Sequence, residues 1–288
     1  MEFFSSLVVA KGQRPMANLM SDLASKAAEI MARVRATKPL VHHITNFVVM
    51  NETANITLCA GALPVMAHAR QEVEEMAGAA HALVLNLGTL WPEQVDAMLI
   101  AGRRANVRGI PIVLDPVGAG ATRFRSESSH RLLEQLAVSI MRGNFAELAT
   151  LAGFEAKIRG VESVGTSADP TAVAVACARK FRCVAALTGR IDIVSDGYRV
   201  ARVSNGHELM GRVTGTGCMS TAVTAAYAAV EADSVVAAAA ALAAFGLAGE
   251  TAAQGAPGPG TFHVRLYDAL AQMTEEGLRA GARIEVAG

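Results

Sequence analysis

The sequence lacks most of the features that would assign it at once. Neither sign of charge is in excess, since 26 Lys and Arg balance 26 Asp and Glu. Basic residues are scattered, so nothing points to nucleic acid or to an anionic membrane surface as a partner. Aromatic residues make up only 5% of the chain, with one Trp. Alanine supplies much of the 52% hydrophobic content, which favours close-packed helices over a β-sandwich. Cysteine is sparse: Cys59, Cys177, Cys183 and Cys218 form no CxxC pair, and reduced thiols in a cytoplasm are expected. The text from Met1 to Met20 has a short apolar patch but no basic stretch of the kind that opens a secretory signal. The P-loop pattern GxxxxGK[ST] is missing. GxGxxG fails as well, because Ser220 stands where the third glycine would be, and a dinucleotide fold is disfavoured. His42 and His43 have no HExxH-type partner, so a histidine metal site is not expected.

What is present is an alternation of strand-like and helix-like text. At 288 residues the chain has the length of a single large α/β domain, expected over residues 1–288, with residues 1–15 as an extension and Met16 as an alternative start. Apolar runs at 82–88, 110–120, 139–144 and 183–189 read as strands covered on both faces. Amphipathic stretches at 93–106 and 127–137 lie between them. This rhythm predicts an α/β fold, a central and mostly parallel sheet flanked by helices, with no separate lid domain. Asp196-Gly197, inside "IDIVSDGYRVARVS", predicts a hairpin. Helices are expected at 218–231, 235–254 and 264–280, with a Gly/Pro loop at 254–262. The longest apolar run, between Asp233 and Glu250, is too short and too rich in alanine for a membrane span and predicts a core helix.

Ligands of open parallel sheets bind at the C-terminal ends of the strands. Three predicted strands end there in polar or Gly-rich text: Asp115 to Gly120, Arg142 to Asn144 with Glu147 beyond, and Thr188-Gly189. The turn Gly215-Thr216-Gly217 joins them. Its glycines let successive N–H groups converge, and the helix after it turns its positive end to the same point, an arrangement that suits a phosphate. Asp115 and Glu147, at the ends of adjacent predicted strands, are the type of carboxylate pair that Mg²⁺ uses beside phosphate oxygens; helix capping or a salt bridge is the other reading of them. The polar stretch from His42 to Met66 contains Asn46, Asn51, Thr53 and Asn55. Met66 reads as core and Cys218 as a small buried residue unless the helix N-terminus lowers its pKa.

The segments "HHITNFVVMNETAN", "GALPVM", "LNLGTL", "PIVLDPVGAGATRFR", "RGNFAEL", "ALTG", "SNGHELMGRVTGTGC" and "GPGTFHVRLYDAL" run from about Lys38 to Leu270. Together they resemble the hydroxyethylthiazole kinases, a family of the ribokinase-like superfamily. The resemblance implies ATP-dependent phosphorylation of the hydroxyl of 4-methyl-5-(2-hydroxyethyl)thiazole, with Mg²⁺ and a homotrimer whose sites lie between subunits. It implies that Met66 and Gly215, with Asn46, serve the substrate and that Arg142 and Thr188 bind ATP. Asp115 and Glu147 would serve the metal, and Gly215, Thr216 and Gly217 an anion hole. It assigns Cys218 the place that related kinases give to an aspartate base. Two positions depart from the family pattern: Thr216 stands for a commoner Ala and Leu63 for a commoner Ser. Alternatives are a kinase of another vitamin precursor such as a hydroxymethylpyrimidine, a hydrolase with Cys218 as nucleophile, and a nucleotide sensor without chemistry.

Overall fold

The computed structural model describes residues 16–154, 158–159, 162–163 and 168–287; the 1–15 extension lies outside them. The chain begins with α1 (Met16–Thr37) and β1 (Leu40–Ile44), then α2 (Met50–Ala60), β2 (Leu63–Val65), α3 (Val73–Ala79) and β3 (Ala82–Asn86). It continues through α4 (Pro92–Arg108), β4 (Ile112–Asp115), α5 (Arg123–Gln135), β5 (Ile140–Asn144) and α6 (Phe145–Ala152). Two short strands, β6 (Ile158–Arg159) and β7 (Glu162–Ser163), pair with each other. Then come α7 (Pro170–Phe181), β8 (Val184–Thr188), β9 (Asp192–Ser195) and β10 (Val200–Val203). The last third holds α8 (Thr216–Ala228), α9 (Ser234–Ala253), α10 (Pro259–Gln272), α11 (Glu275–Gly281) and β11 (Ile284–Ala287).

Nine strands form one sheet in the order β11-β10-β9-β8-β5-β4-β3-β1-β2. The six from β8 to β2 are parallel, and β9, β10 and β11 extend it antiparallel. Successive side chains of a strand point to opposite faces, and the sequence supplies apolar residues at both. Ala82 and Val84 join the layer of α1, α2, α8, α9, α10 and α11, whereas Leu83 and Leu85 join the layer of α3 to α7. The predicted sheet and the four predicted parallel strands are therefore found. The hairpin is found too: Ser195 pairs with Val200 across Asp196 to Arg199, with Gly197 at φ 93°.

Helix starts follow their caps. The Asp233 side chain accepts from the amides of Val235 and Val236 to open α9, and Asp169 does the same for Thr171 and Ala172 of α7. α9 is long and apolar enough to cross a membrane by length and composition, yet Ala237 to Ala244 are all buried inside the protein. It is the expected core helix, and its alanines let it pack closely on α8 and α10. The C-terminal helix predicted at 264–280 is instead two, α10 and α11, broken at Met273-Thr274. The break is local chemistry: the Thr274 side chain accepts from Gly277 N and starts α11 anew. α10 also begins earlier than expected, at Pro259, because proline suits the first helical turn. β11 was not foreseen.

His42 and His43 of β1 are both fully buried. His42 Nε2 lies 2.7 Å from the Ala67 carbonyl and His43 Nε2 lies 3.3 Å from Thr57 Oγ1 of α2. Neither Nδ1 has a partner. Burial, and then the neighbouring His42 and His68, push His43 down to about 3. The folded state thus keeps His43 neutral, while the unfolded chain protonates it near pH ~6.5. Its stabilising contribution is complete above that value and is lost as pH falls from about 6.5 toward about 3. We expect His43 to cost on the order of 2 kcal/mol between pH ~6.5 and ~5. Urea unfolding at pH 7 and pH 5 checks this: the stability of His43→Gln should fall less steeply than that of the parent chain.

Candidate active site

Strand register brings the polar strand ends to one rim. Asn86 at the end of β3 pairs with Asp115 at the end of β4, and Asn144 of β5 pairs with Thr188 of β8. α8 points its first turn at this rim. Gly215 precedes it at φ 91°, a conformation that favours glycine, and a Cβ there would meet Val49 Cγ1 at 2.5 Å. The first helical hydrogen bond runs from Met219 N to Gly215 O. The amides of Thr216, Gly217 and Cys218 therefore remain free at the positive end of the helix, a site suited to an anion. The Thr216 hydroxyl faces elsewhere and donates to Met210 O at 2.7 Å.

Arg142 of β5 ties the rim together. Its Nη2 donates to Thr188 Oγ1 at 2.9 Å, and its Nη1 lies 3.9 Å from Asp115 Oδ2. The guanidinium lies against Gly217, where a Cβ would come within 2.7 Å of Nη1. Nε is buried without a partner. An arginine and a helix N-terminus side by side concentrate positive potential at this corner, which suits an anion.

Asp115 is buried, and its Oδ2 accepts from Thr221 Oγ1 at 2.8 Å and from Asn86 Nδ2 at 3.0 Å. Its Oδ1 has no partner. Burial raises its pKa, against the pull of Arg142, Thr221 and Asn86. Glu147 is not at a strand end, as its neighbours in sequence suggested. It sits in the first turn of α6 and forms a capping box with Asn144: Asn144 Oδ1 accepts from Glu147 N at 3.0 Å, and Glu147 Oε2 accepts from Asn144 N at 2.8 Å. Its Oε1 accepts from Gly118 N at 2.8 Å and so pins the loop after β4. The capping reading of Glu147 is correct. Burial and then the charge of Asp115 raise its pKa.

Two buried carboxylates that repel one another are a place for a divalent cation. The free Oδ1 of Asp115 fits one, and a carboxylate with two accepted hydrogen bonds keeps lone pairs to spare. Among the described residues no three His, Cys, Asp or Glu side chains converge to hold an ion by themselves. Mg²⁺ here would complete its shell with water and phosphate oxygens, as it commonly does.

Cys218 is the third residue of α8. Asn46 Nδ2 donates to its Sγ at 3.6 Å. Burial, and then the charge of Asp115, push the thiol up to about 12. Any lowering by the helix N-terminus is thus outweighed. None of the hydrogen bonds at Sγ comes from a histidine, and His207 Nδ1 is engaged with Leu209 N at 3.2 Å. A nucleophilic cysteine needs a base beside it, so the hydrolase reading has no support.

Asn46 joins the cluster, as Gly215 does through Val49. Met66 does not: it follows β2, at the sheet edge and three strands from β4. Sequence reading missed Asn86 and Thr221. Asn86 carries a signal, a polar residue closing the apolar run "LVLN". Thr221 carries none in a helix of small residues.

Beside the cluster opens a cleft of ≈ 760 Å³, lined among others by Arg142, Thr188, Asp192, His207, Gly217 and Phe245. That volume suits a nucleotide. The Asp192 carboxyl is raised to about 6 by burial, opposed by the Gly189 amide, which donates to it at 2.9 Å. Residues of the stretch Asn205 to Gly211 also line the cleft. Glu250 of α9 holds this stretch by accepting from Gly206 N at 2.8 Å and pairing with Arg283, whose own amide donates to Asn205 Oδ1 at 2.7 Å.

Known proteins share both sequence and architecture with this chain. The profile of the Hydroxyethylthiazole kinase family matches residues 31–276. A hydroxyethylthiazole kinase of Chloroflexus aurantiacus is 58% identical over 262 residues, which cover 91% of this chain and 97% of that protein. A solved hydroxyethylthiazole kinase of Pyrococcus horikoshii superposes with a TM-score of 0.85 at 46% identity, covering 91% of this chain and 99% of the other. A ribokinase-like superfamily protein of Enterococcus faecalis, 11% identical, has the same fold with a TM-score of 0.61 and covers 88% of this chain and 95% of its own. The alternation of strands and helices, the Gly-Thr-Gly turn and its cysteine thus have one common explanation: the chain belongs to the hydroxyethylthiazole kinase family.

Proposed function

We propose that this chain transfers the terminal phosphoryl group of ATP to the hydroxyl of 4-methyl-5-(2-hydroxyethyl)thiazole, in thiamine biosynthesis or salvage. The observation that carries this reading is the corner where the α8 amides, Arg142 and the Asp115 carboxylate meet beside a nucleotide-sized cleft. Family membership supplies the alcohol. ATP lies in the cleft with Arg142 and Thr188 at its phosphates. The amides of Thr216, Gly217 and Cys218 receive the charge of the phosphoryl group in transfer. Asp115, with Glu147 behind it, would hold Mg²⁺. Bound there, the ion would neutralise phosphate charge.

Asn46, Gly215 and Met66 serve the alcohol. Cys218 receives the hydrogen bond of its hydroxyl. A thiol raised to about 12 is a poor resting base, so it works by position. The loose transition state keeps the hydroxyl proton in place until late, which makes proximity matter more than basicity. We take the whole chain as one kinase unit, since a single nine-stranded sheet runs through it. The cytoplasm, where ATP is available, agrees with four cysteines that form no disulfide.

A homotrimer with sites between subunits is part of this reading. Met66 lies away from the cluster, at the β2 edge. Exposed apolar side chains stand on three elements there: Leu58 of α2, Leu63 of β2 and Val264 of α10. A second copy at that edge would cover them and complete the alcohol pocket. Light scattering should give three chains per particle; an active monomer would remove this part.

ADP release should require Mg²⁺ and the thiazole alcohol together. Turnover of a hydroxymethylpyrimidine with none of the thiazole would favour the other vitamin-precursor kinase. Asp115→Asn should lower kcat by ~10²-fold or more while the alcohol still binds. Glu147→Gln should lose activity and also ~1–3 kcal/mol of stability, because two backbone amides depend on its oxygens. Equal kcat to the parent in both variants would sink the assignment.

Cys218→Ala should lose at most ~10²–10⁴-fold in kcat, the range of general-base help. Cys218→Asp should fold and stay active. A folded Cys218→Asp chain that binds both substrates and turns over nothing would refute the role given to Cys218.

A further inference from the structure

Between Cys218 and Asp115 lies a pair of side-chain amides, of which the steps above use only Asn46 and leave Asn86 without a role. Asn46 Nδ2 donates to Asn86 Oδ1 at 2.7 Å, and both residues are buried. Backbone groups fix which way each amide points. Gly88 N donates to Asn86 Oδ1 at 2.9 Å, and Val48 N donates to Asn46 Oδ1 at 3.1 Å. An N–H accepts no hydrogen bond, so each amide must turn its oxygen there and its NH₂ away. The Asn86 NH₂ then meets Asp115 Oδ2 at 3.0 Å, and the Asn46 NH₂ meets both Asn86 Oδ1 and Cys218 Sγ. Neither amide has a second orientation that keeps these bonds.

The loop between β3 and α4 is held to suit. Arg125 donates through Nη1 to Leu87 O and Val117 O, each at 2.7 Å, and through Nη2 to Gly88 O at 2.8 Å. Gly88 must lack a side chain, because a Cβ there would collide with the Asn46 amide. We propose that Asn86 is a positioning residue for phosphoryl transfer: it holds Asp115 by one N–H and, through Asn46, keeps an N–H aimed at the Cys218 sulfur, so both ends of the site are set as one unit. The proposal rests on the kinase reading.

Asn86→Asp tests it. The variant keeps the size and the acceptor for Gly88 N, removes the N–H toward Asp115, and adds a negative charge between Asp115 and Cys218. We expect kcat to fall about 10²-fold with KM for ATP changed less than about threefold. In substrate-free protein, iodoacetamide labelling of Cys218, read by peptide mass, should slow at least about fivefold, since the added charge disfavours the thiolate. Thr221→Val removes the other donor to Asp115 without touching Asn46; it should lower kcat and leave the labelling rate unchanged. Unchanged or faster labelling in Asn86→Asp overturns the proposal whatever happens to kcat, because an opened or merely destabilised site exposes the thiol. Parental kcat overturns it as well. If Asn86→Asp does not fold, Asn46→Ala decides: slower labelling from loss of the N–H on sulfur supports the coupling, and an equal or higher rate overturns it. Labelling needs no alcohol. Slowed labelling in a chain that phosphorylates nothing would therefore refute the kinase reading and leave the amide coupling standing.

Discussion

A buried negative charge at Asp115 governs what surrounds it. A carboxylate out of water is costly unless donors and an opposite charge compensate it. Asn86, Thr221 and Arg142 do so from three different elements, β3, α8 and β5. Each of those elements is thereby fixed relative to β4. The compensation is incomplete, since one carboxylate oxygen has no partner. That free oxygen is the atom on which the proposed Mg²⁺ would sit. A fully satisfied Asp115 would make a more stable corner and a poorer site.

The composition makes this corner possible. α8 must bring its first turn to the rim while lying on the sheet, and α9 must then pack on α8. Alanines along both helices let the backbones approach closely. The same preference for small side chains leaves few aromatic residues to fill the core, and it explains an apolar helix that lies mostly inside the protein. Glu147 follows a similar economy. One carboxylate starts α6, anchors Gly118 in the loop after β4, and adds negative charge beside Asp115.

Much of the fold was readable because strand text and helix text differ in period and in their closing residues. Both-face apolar runs ending in Asp-Pro, Arg-Gly-Asn or Thr-Gly gave the parallel sheet and its functional rim. The hairpin at Asp196-Gly197 was readable for the same local reason. The split of α10 from α11 depends on one threonine cap, and β11 depends on pairing with β10 some eighty residues earlier; periodicity carries neither. In the site, Cys218, Arg142 and Asp115 stood beside glycines and strand ends. Asn86 and Thr221 owe their place to pairing across β3 and β4 and to the rotation of α8, which are tertiary facts. Sequence left open whether the helix terminus would lower the Cys218 thiol; depth and a neighbouring carboxylate outweigh it.

The wall of the cleft joins residues far apart in the chain. Arg142 and Thr188 come from the middle and Asn205 to Gly211 follow β10, while Glu250 in the last turn of α9 and Arg283, just before the last strand, hold Asn205 and Gly206 in place. During synthesis the amino-terminal strands emerge first, and domains generally fold as units. The Asn205–Gly206 stretch gains its bonds to Glu250 and Arg283 only once Arg283 has left the ribosome. A ligand stabilises only the state that binds it. A ligand of this cleft therefore offers little help to the early nascent chain, which relies on core packing before such a ligand can hold it.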